Sequence, residues 1–131
     1  MKLALDTTGY SEAARGHEKA SRALKAAEEI YMPFVALGEL RAGFASGKEG
    51  KKNEAKLTEF LNSPRVHLLF ADEQTTHHYA LVFTHLRKEG RPIPTNDLWI
   101  AALAIQYDLP LLTLDSHFSK IPQLATLNIE T

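Results

Sequence analysis

Cysteine is absent from the 131-residue chain, which excludes disulfides and thiolate metal ligands and fits a cytoplasmic protein. No apolar run approaches the roughly 18 residues that mark a membrane span, so no membrane association is expected. The first residues run straight into a short apolar segment closed by Asp6, a pattern unlike a signal peptide. Internal repeats, low-complexity tracts and Pro/Ser-rich linkers are missing as well. So is any strong net charge. The formal value is −1, so no global basic field advertises a nucleic-acid partner, and a local patch or bound metal ions would have to supply the positive charge. What is present is ordinary for a globular protein, with 44% hydrophobic and 24% charged residues. One domain spanning residues 1–131, large enough for its own core, is the expected organisation.

Short apolar runs alternate with longer helical patterns. Residues 2–5, 30–32, 66–70 and 111–114 read as strands, with 126–129 a fifth candidate. Residues 11–27 read as one or two helices broken at Gly16. Pro33 suits the first position of a helix in which Phe34, Leu37, Leu40 and Phe44 recur as a core-facing stripe. A helix over 51–61 turns Leu57, Phe60 and Leu61 inward, and Asp72 caps another that runs to about Glu89. Residues 90–94 form a loop, and a helix over 96–107 precedes the fourth strand. The strands lack the apolar/polar alternation of a half-exposed antiparallel sheet. They predict a mainly parallel sheet covered on both faces, an α/β/α three-layer sandwich.

Three acids sit where packing alone does not ask for them. Asp6 and Asp115 each directly follow a strand, and Asp97 lies in the first turn of an Ala-rich, apolar helix. In an open parallel sheet, functional groups collect beyond the carboxyl ends of the strands, where strand order reverses. If the first and fourth strands are neighbours there, Asp6 and Asp115 share a rim. The Asp97 helix runs antiparallel to the fourth strand. It descends roughly 15 Å and the strand climbs back about 13 Å, which returns Asp97 to the same rim. Glu39 lies about 9 Å below the top of its own helix and can reach inward.

Singly, each acid has a plainer reading. Asn96-Asp97 could be a helix cap, Asp6 and Asp115 turn or cap residues, and Glu39 a solvated helix position. Those readings do not account for a shared rim. Asp72 also follows a strand but at the sheet edge, so it remains a cap. Carboxylates 4 Å apart repel by about 4 kcal/mol at an effective dielectric near 20, so such a cluster calls for a cation. Oxygen ligands favour Mg²⁺ or Mn²⁺ over zinc. Two such ions about 4 Å apart activate water and stabilise a leaving oxygen, which points to metal-dependent phosphodiester hydrolysis.

Leu5-Asp6-Thr7, Glu39-Leu40, Asn96-Asp97-Leu98-Trp99-Ile100-Ala101-Ala102 and Leu112-Thr113-Leu114-Asp115-Ser116-His117-Phe118 resemble, in that order, the PIN-domain ribonucleases, and within them the VapC-type toxins of toxin–antitoxin pairs. The resemblance spans essentially the whole chain. It implies that Asp6, Glu39, Asp97 and Asp115 form an acidic metal site, supported by Thr7, Asn96 and Thr113. It also implies Mg²⁺- or Mn²⁺-dependent cleavage of RNA, a cognate antitoxin, a homodimer, and a sheet ordered 3-2-1-4-5. One position departs: Thr8 stands where the family usually carries Asn.

Arg41, Lys48 and Lys51 are candidate contacts for RNA phosphates, although the run Lys48, Lys51, Lys52, Lys56 also reads as a solvated helix face. His117, two residues past Asp115, has two readings, a group near the cleft and a plain loop histidine, of which the second is preferred. Trp99 reads as core, and the adjacent His77 and His78 point different ways. A haloacid-dehalogenase-type phosphatase would need a second acid at position 8, which is Thr. A phosphoacceptor receiver domain would need paired acids after the first strand and a basic residue after the last, and neither appears. A PIN-fold binding or regulatory module with weak or no activity is the remaining alternative, motivated by Thr8.

Overall fold

The structure, a computed structural model, describes residues 1–129, so the last two positions of the expected 1–131 domain lie outside it. Strands β1 (Lys2–Leu5), β2 (Glu29–Pro33), β3 (Val66–Leu69), β4 (Leu111–Thr113) and β5 (Thr126–Asn128) form one sheet in the order β3-β2-β1-β4-β5. Every adjacent pair is parallel. Leu3, Ala4, Leu5, Leu111 and Leu112 are fully buried, which is why the central strands read as unbroken apolar runs. Among the described residues six helices flank the sheet: α1 (Thr7–Ala14), α2 (Glu18–Ala26), α3 (Phe34–Ser46), α4 (Gly50–Leu61), α5 (Glu73–Lys88) and α6 (Thr95–Gln106). The expected sandwich and strand order are both present.

The reversal of strand order falls between β1 and β4. Ala4 pairs with Leu111 and Leu5 with Leu112, so the chain leaves both strands side by side, at Asp6 and just past Thr113. Helix α6 descends beside them almost wholly buried, with Leu98 and Ile100–Ala104 in the core. Helix α5 packs along α6, started by a reciprocal cap between Asp72 and Thr75. Gln106 at the far end of α6 donates to the same Asp72 carboxylate at 3.0 Å, so Asp72 is the structural cap its edge position suggested. Arg65 closes α2 by donating to the carbonyls of Leu24 and Ala27, both at 2.6 Å.

Several boundaries differ from expectation. Pro33 is the last residue of β2 and not the first of α3, since its missing N–H costs nothing where the ladder ends. The stripe on α3 is rotated. Ala36 and Leu40 are buried, Leu37 and Phe44 pack partly against the core, and Phe34 is 41% exposed. Phe34 stacks instead on Phe70, 6.3 Å away, which lies beyond the end of β3 and is 63% exposed. Two apolar side chains at the top of neighbouring strands cover each other where the core has ended. Trp99 is only partly buried and stacks on Tyr79 of α5 at 4.1 Å.

Gly9 shows how tightly α1 is pressed against β4. A Cβ there would stand 2.5 Å from the Leu112 carbonyl oxygen and 2.9 Å from Leu5 Cδ1. The nearer atom is sheet backbone and cannot step aside. Gly9→Ala is expected to destabilise the protein by about 1–3 kcal/mol through overpacking, measured as a lower urea midpoint at unchanged m-value.

Candidate active site

Asp6 is the N-cap of α1 and is 3% exposed. Three donors converge on its carboxylate. The Gly9 amide reaches Oδ1 at 2.7 Å, Thr113 Oγ1 reaches Oδ2 at 2.6 Å, and Thr8 Oγ1 lies 2.9 and 3.0 Å from the two oxygens. Each threonine hydroxyl also accepts a backbone N–H from the segment after β4. Thr8 takes that of Leu114 at 3.0 Å and Thr113 that of Asp115 at 2.9 Å. The turn leaving β4 is thus bonded to the helix leaving β1 through two hydroxyls that both hold Asp6. Thr8, the departure from the family pattern, is an orienting group for Asp6 and a fastener for the loop.

Glu39 reaches the site from α3. Its Oε1 accepts from Thr7 Oγ1 at 2.7 Å and its Oε2 from Asn96 Nδ2 at 3.4 Å. It therefore ties together the starts of α1 and α6, and the reading of Glu39 as a solvated position does not hold. Asn96 does not cap α6. The residue before that helix is Pro94, with no side-chain cap bond, and Asn96 sits within the first turn facing Glu39. Asp97 follows, buried in the same turn.

The residue that the sequence reading ranks as a loop histidine, ahead of a place near the cleft, is His117. Asp115 caps a 3₁₀ turn, Ser116–Lys120, by accepting the His117 N–H at 2.9 Å. That turn swings the imidazole back over the rim. Nδ1 comes to 2.9 Å from Asp97 Oδ2 and 3.1 Å from Asp115 Oδ1. One ligand atom from each of Asp97, Asp115 and His117 falls within 4.8 Å of the others, a group able to hold a metal ion. The available signal was the Asp-x-His spacing. Here the Asp115 carboxylate that accepts the amide two residues on also has that residue's ring beside it, with Nδ1 3.1 Å from Oδ1.

Arg41, Lys48 and Lys51 are not joined to these acids by any hydrogen bond or ion pair among the described residues. They line an open groove of about 1090 Å³ between α3 and α4. Arg41 is engaged there by Glu54, with Nε 3.1 Å from Oε1.

Burial and like charge set the electrostatics of the cluster. Burial pushes the Asp6 carboxyl up to about 6, against the lowering effect of its bonds to Thr113, Gly9 and Thr8, with the Asp115 charge adding to the rise. Asp97 is also raised, first by burial and then by the charges of Asp115 and Glu39, while its contact with His117 works the other way. Carboxylate oxygens from four elements, plus one imidazole nitrogen, suit a divalent cation of the hard-to-borderline kind.

The family model described as PIN domain matches residues 4–124. Ribonuclease VapC from Rickettsia bellii is 33% identical over 132 residues, covering 98% of this chain and 97% of that protein. Ribonuclease VapC1 from Haemophilus influenzae strain R2866 is 35% identical over 98 residues, 74% of this chain and 72% of its own length. Among solved structures, VapBC2 from Rickettsia felis, bound to a DNA fragment from its promoter, superposes with a TM-score of 0.87. The identity is 29%, with 99% of this chain and 100% of that one covered. The chain belongs to the PIN-domain family, and the relatives it matches within it are VapC ribonucleases.

The Asp6 shift carries a stability consequence. Its folded pKa lies above the unfolded value near 3.8, so this residue's stabilising contribution is full below pH 4 and is lost as pH rises through 6. For metal-free protein the loss is up to about 3 kcal/mol between pH 4 and 7, and Asp97 adds to it in the same direction. Denaturant titrations across that range should show this component in wild type, a smaller one in Asp6→Asn, and its reversal when Mg²⁺ or Mn²⁺ is added.

Proposed function

We propose that the protein is a Mg²⁺- or Mn²⁺-dependent endoribonuclease and the toxin of a toxin–antitoxin pair. The observation that carries this reading is the nearness of Asp6, Glu39, Asp97 and Asp115, from four different elements, at the β1/β4 reversal of a PIN-domain chain, close enough for Asp115 to act on Asp6 and for Asp115 and Glu39 to act on Asp97. Its relatives' names, ribonuclease VapC, supply the RNA substrate class, and the VapBC2 structure supplies the paired arrangement with an antitoxin. Homodimer formation and a cytoplasmic location belong to the same reading. No helix among the described residues is long and apolar enough to cross a membrane.

In this reading Asp6, Asp97, Asp115 and Glu39 hold the cation. When bound, the cation supplies an activated water and charge stabilisation at the scissile phosphate. The chain's own residues do the positioning. Thr113, Thr8 and the Gly9 amide fix the rotamer of Asp6. Thr7 and Asn96 hold the Glu39 carboxylate at the mouth of the cleft. Lys48 and Lys51, in the groove between α3 and α4, would meet RNA phosphates by charge alone, whereas Arg41 is partly neutralised by Glu54. The alternative of an inactive module drew on Thr8. Its hydroxyl lies within hydrogen-bonding distance of both Asp6 oxygens, which supports the active reading.

Incubating the purified protein with structured RNA should give fragments with Mg²⁺ or Mn²⁺ and none with EDTA. Asp97→Asn should lower the cleavage rate by about 100-fold or more, the scale of several kcal/mol of metal-assisted stabilisation. Equal cleavage by the Asp97→Asn protein would place the activity elsewhere or in a contaminant. Neither cleavage nor divalent-dependent thermal stabilisation in wild type would favour the inactive module. Replacing Lys48 and Lys51 together by Ala should flatten the salt dependence of RNA binding by about two phosphate contacts.

A further inference from the structure

We propose that His117 is itself a ligand of the bound cation, through Nδ1, alongside Asp97 and Asp115, and that it makes the centre prefer Mn²⁺ to Mg²⁺. This inference rests on the metal-dependent reading above and assigns it a nitrogen donor that the four acids do not include.

The spacing is the first support. Cis ligands of an octahedral ion with bonds of about 2.1 Å stand about 3.0 Å apart. Nδ1 lies 2.9 Å from Asp97 Oδ2 and 3.1 Å from Asp115 Oδ1. The imidazole nitrogen is thus already at ligand-to-ligand distance from two carboxylates.

The second support is how the ring is held. Asp115 accepts the His117 amide, so the carboxylate and the backbone that carries the ring are fixed to each other. Phe118 and Ile121 are buried on either side of the turn's end and anchor it to the core. The imidazole is carried by a packed turn and not by a free loop.

The third is chemical. Mg²⁺ favours an all-oxygen, heavily hydrated shell. Mn²⁺ also suits carboxylates, but as a softer first-row transition ion it accepts an imidazole nitrogen with less loss than Mg²⁺. A histidine placed only as a hydrogen-bonding partner for Asp97 would leave a hard oxygen site with no such bias. The two arrangements predict different spectra.

Metal-free wild-type protein is titrated with Mn²⁺ and followed by electron paramagnetic resonance, with pulsed detection of ¹⁴N hyperfine coupling. His117→Ala and His117→Gln are taken through the same titration, each checked by its thermal melt. Bound Mn²⁺ with ¹⁴N coupling in wild type and none in either variant is the expected result. With it, the wild-type preference for Mn²⁺ over Mg²⁺ should shrink measurably in His117→Ala. Mn²⁺ that binds without ¹⁴N coupling, or with coupling that survives both substitutions, overturns the assignment of His117 and leaves the carboxylate centre standing. No Mn²⁺ binding by wild type overturns the metal-dependent reading itself, and the ligand assignment with it. Should His117→Ala fail to fold, wild type against His117→Gln decides the question alone.

Discussion

A carboxylate almost without solvent, placed where two neighbouring parallel strands end, is the constraint on which the rest of this structure depends. Burial opposes the charge on Asp6, and hydrogen bonds from Thr113, Gly9 and Thr8 recover only part of the cost. Those same bonds set the local architecture. The cap on Asp6 starts α1, the missing side chain at Gly9 lets that helix lie against β4, and the two threonine hydroxyls secure the turn that delivers Asp115. The strain of a buried charge and the rigidity of the surrounding backbone have one origin.

Glu39 extends that coupling to the helical layer. Its two oxygens are bound by residues 32 positions before it and 57 positions after it in the chain. The placement of α3 relative to α1 and α6 is therefore registered at the acidic cleft. A change in how those helices pack would be felt there first, since a 3.4 Å amide contact tolerates little displacement.

Much of this was legible in the chain. The unbroken apolar runs at 2–5 and 111–114 announced central parallel strands, and the acids ending them announced the rim, because strand ends and reversals are local and topological facts. Lengths alone brought Asp97 back to the same edge. Rotation and partnership were less legible. The stripe on α3 was read with Phe34 inward, yet a helix that starts at the top of a strand begins above the core, and its first apolar residue found Phe70 instead. Asn96 looked like a cap, but Pro94 sets where the helix begins and Asn96 serves Glu39. For His117 the loop reading outweighs the one near the cleft, since the Asp-x-His spacing marks a turn but does not by itself give the direction of the ring. Arg41 reads as a candidate phosphate contact, and its pairing with Glu54 is hidden from the sequence because that partner lies on another helix.

The order of strands also has a bearing on the life of the polypeptide during synthesis. β1 is among the first residues made, yet one of its two neighbours in the sheet, β4, comes more than a hundred residues later. Until that segment leaves the ribosome, β1 has an open side, and Asp6 has neither the Thr113 hydroxyl nor Asp115 beside it. Glu39 likewise waits for Asn96. The cleft is assembled only when nearly the whole chain is available. A chain truncated before β4 would lack Asp115 and would hold Asp6 without its Thr113 partner, so an incompletely translated message would release no formed site.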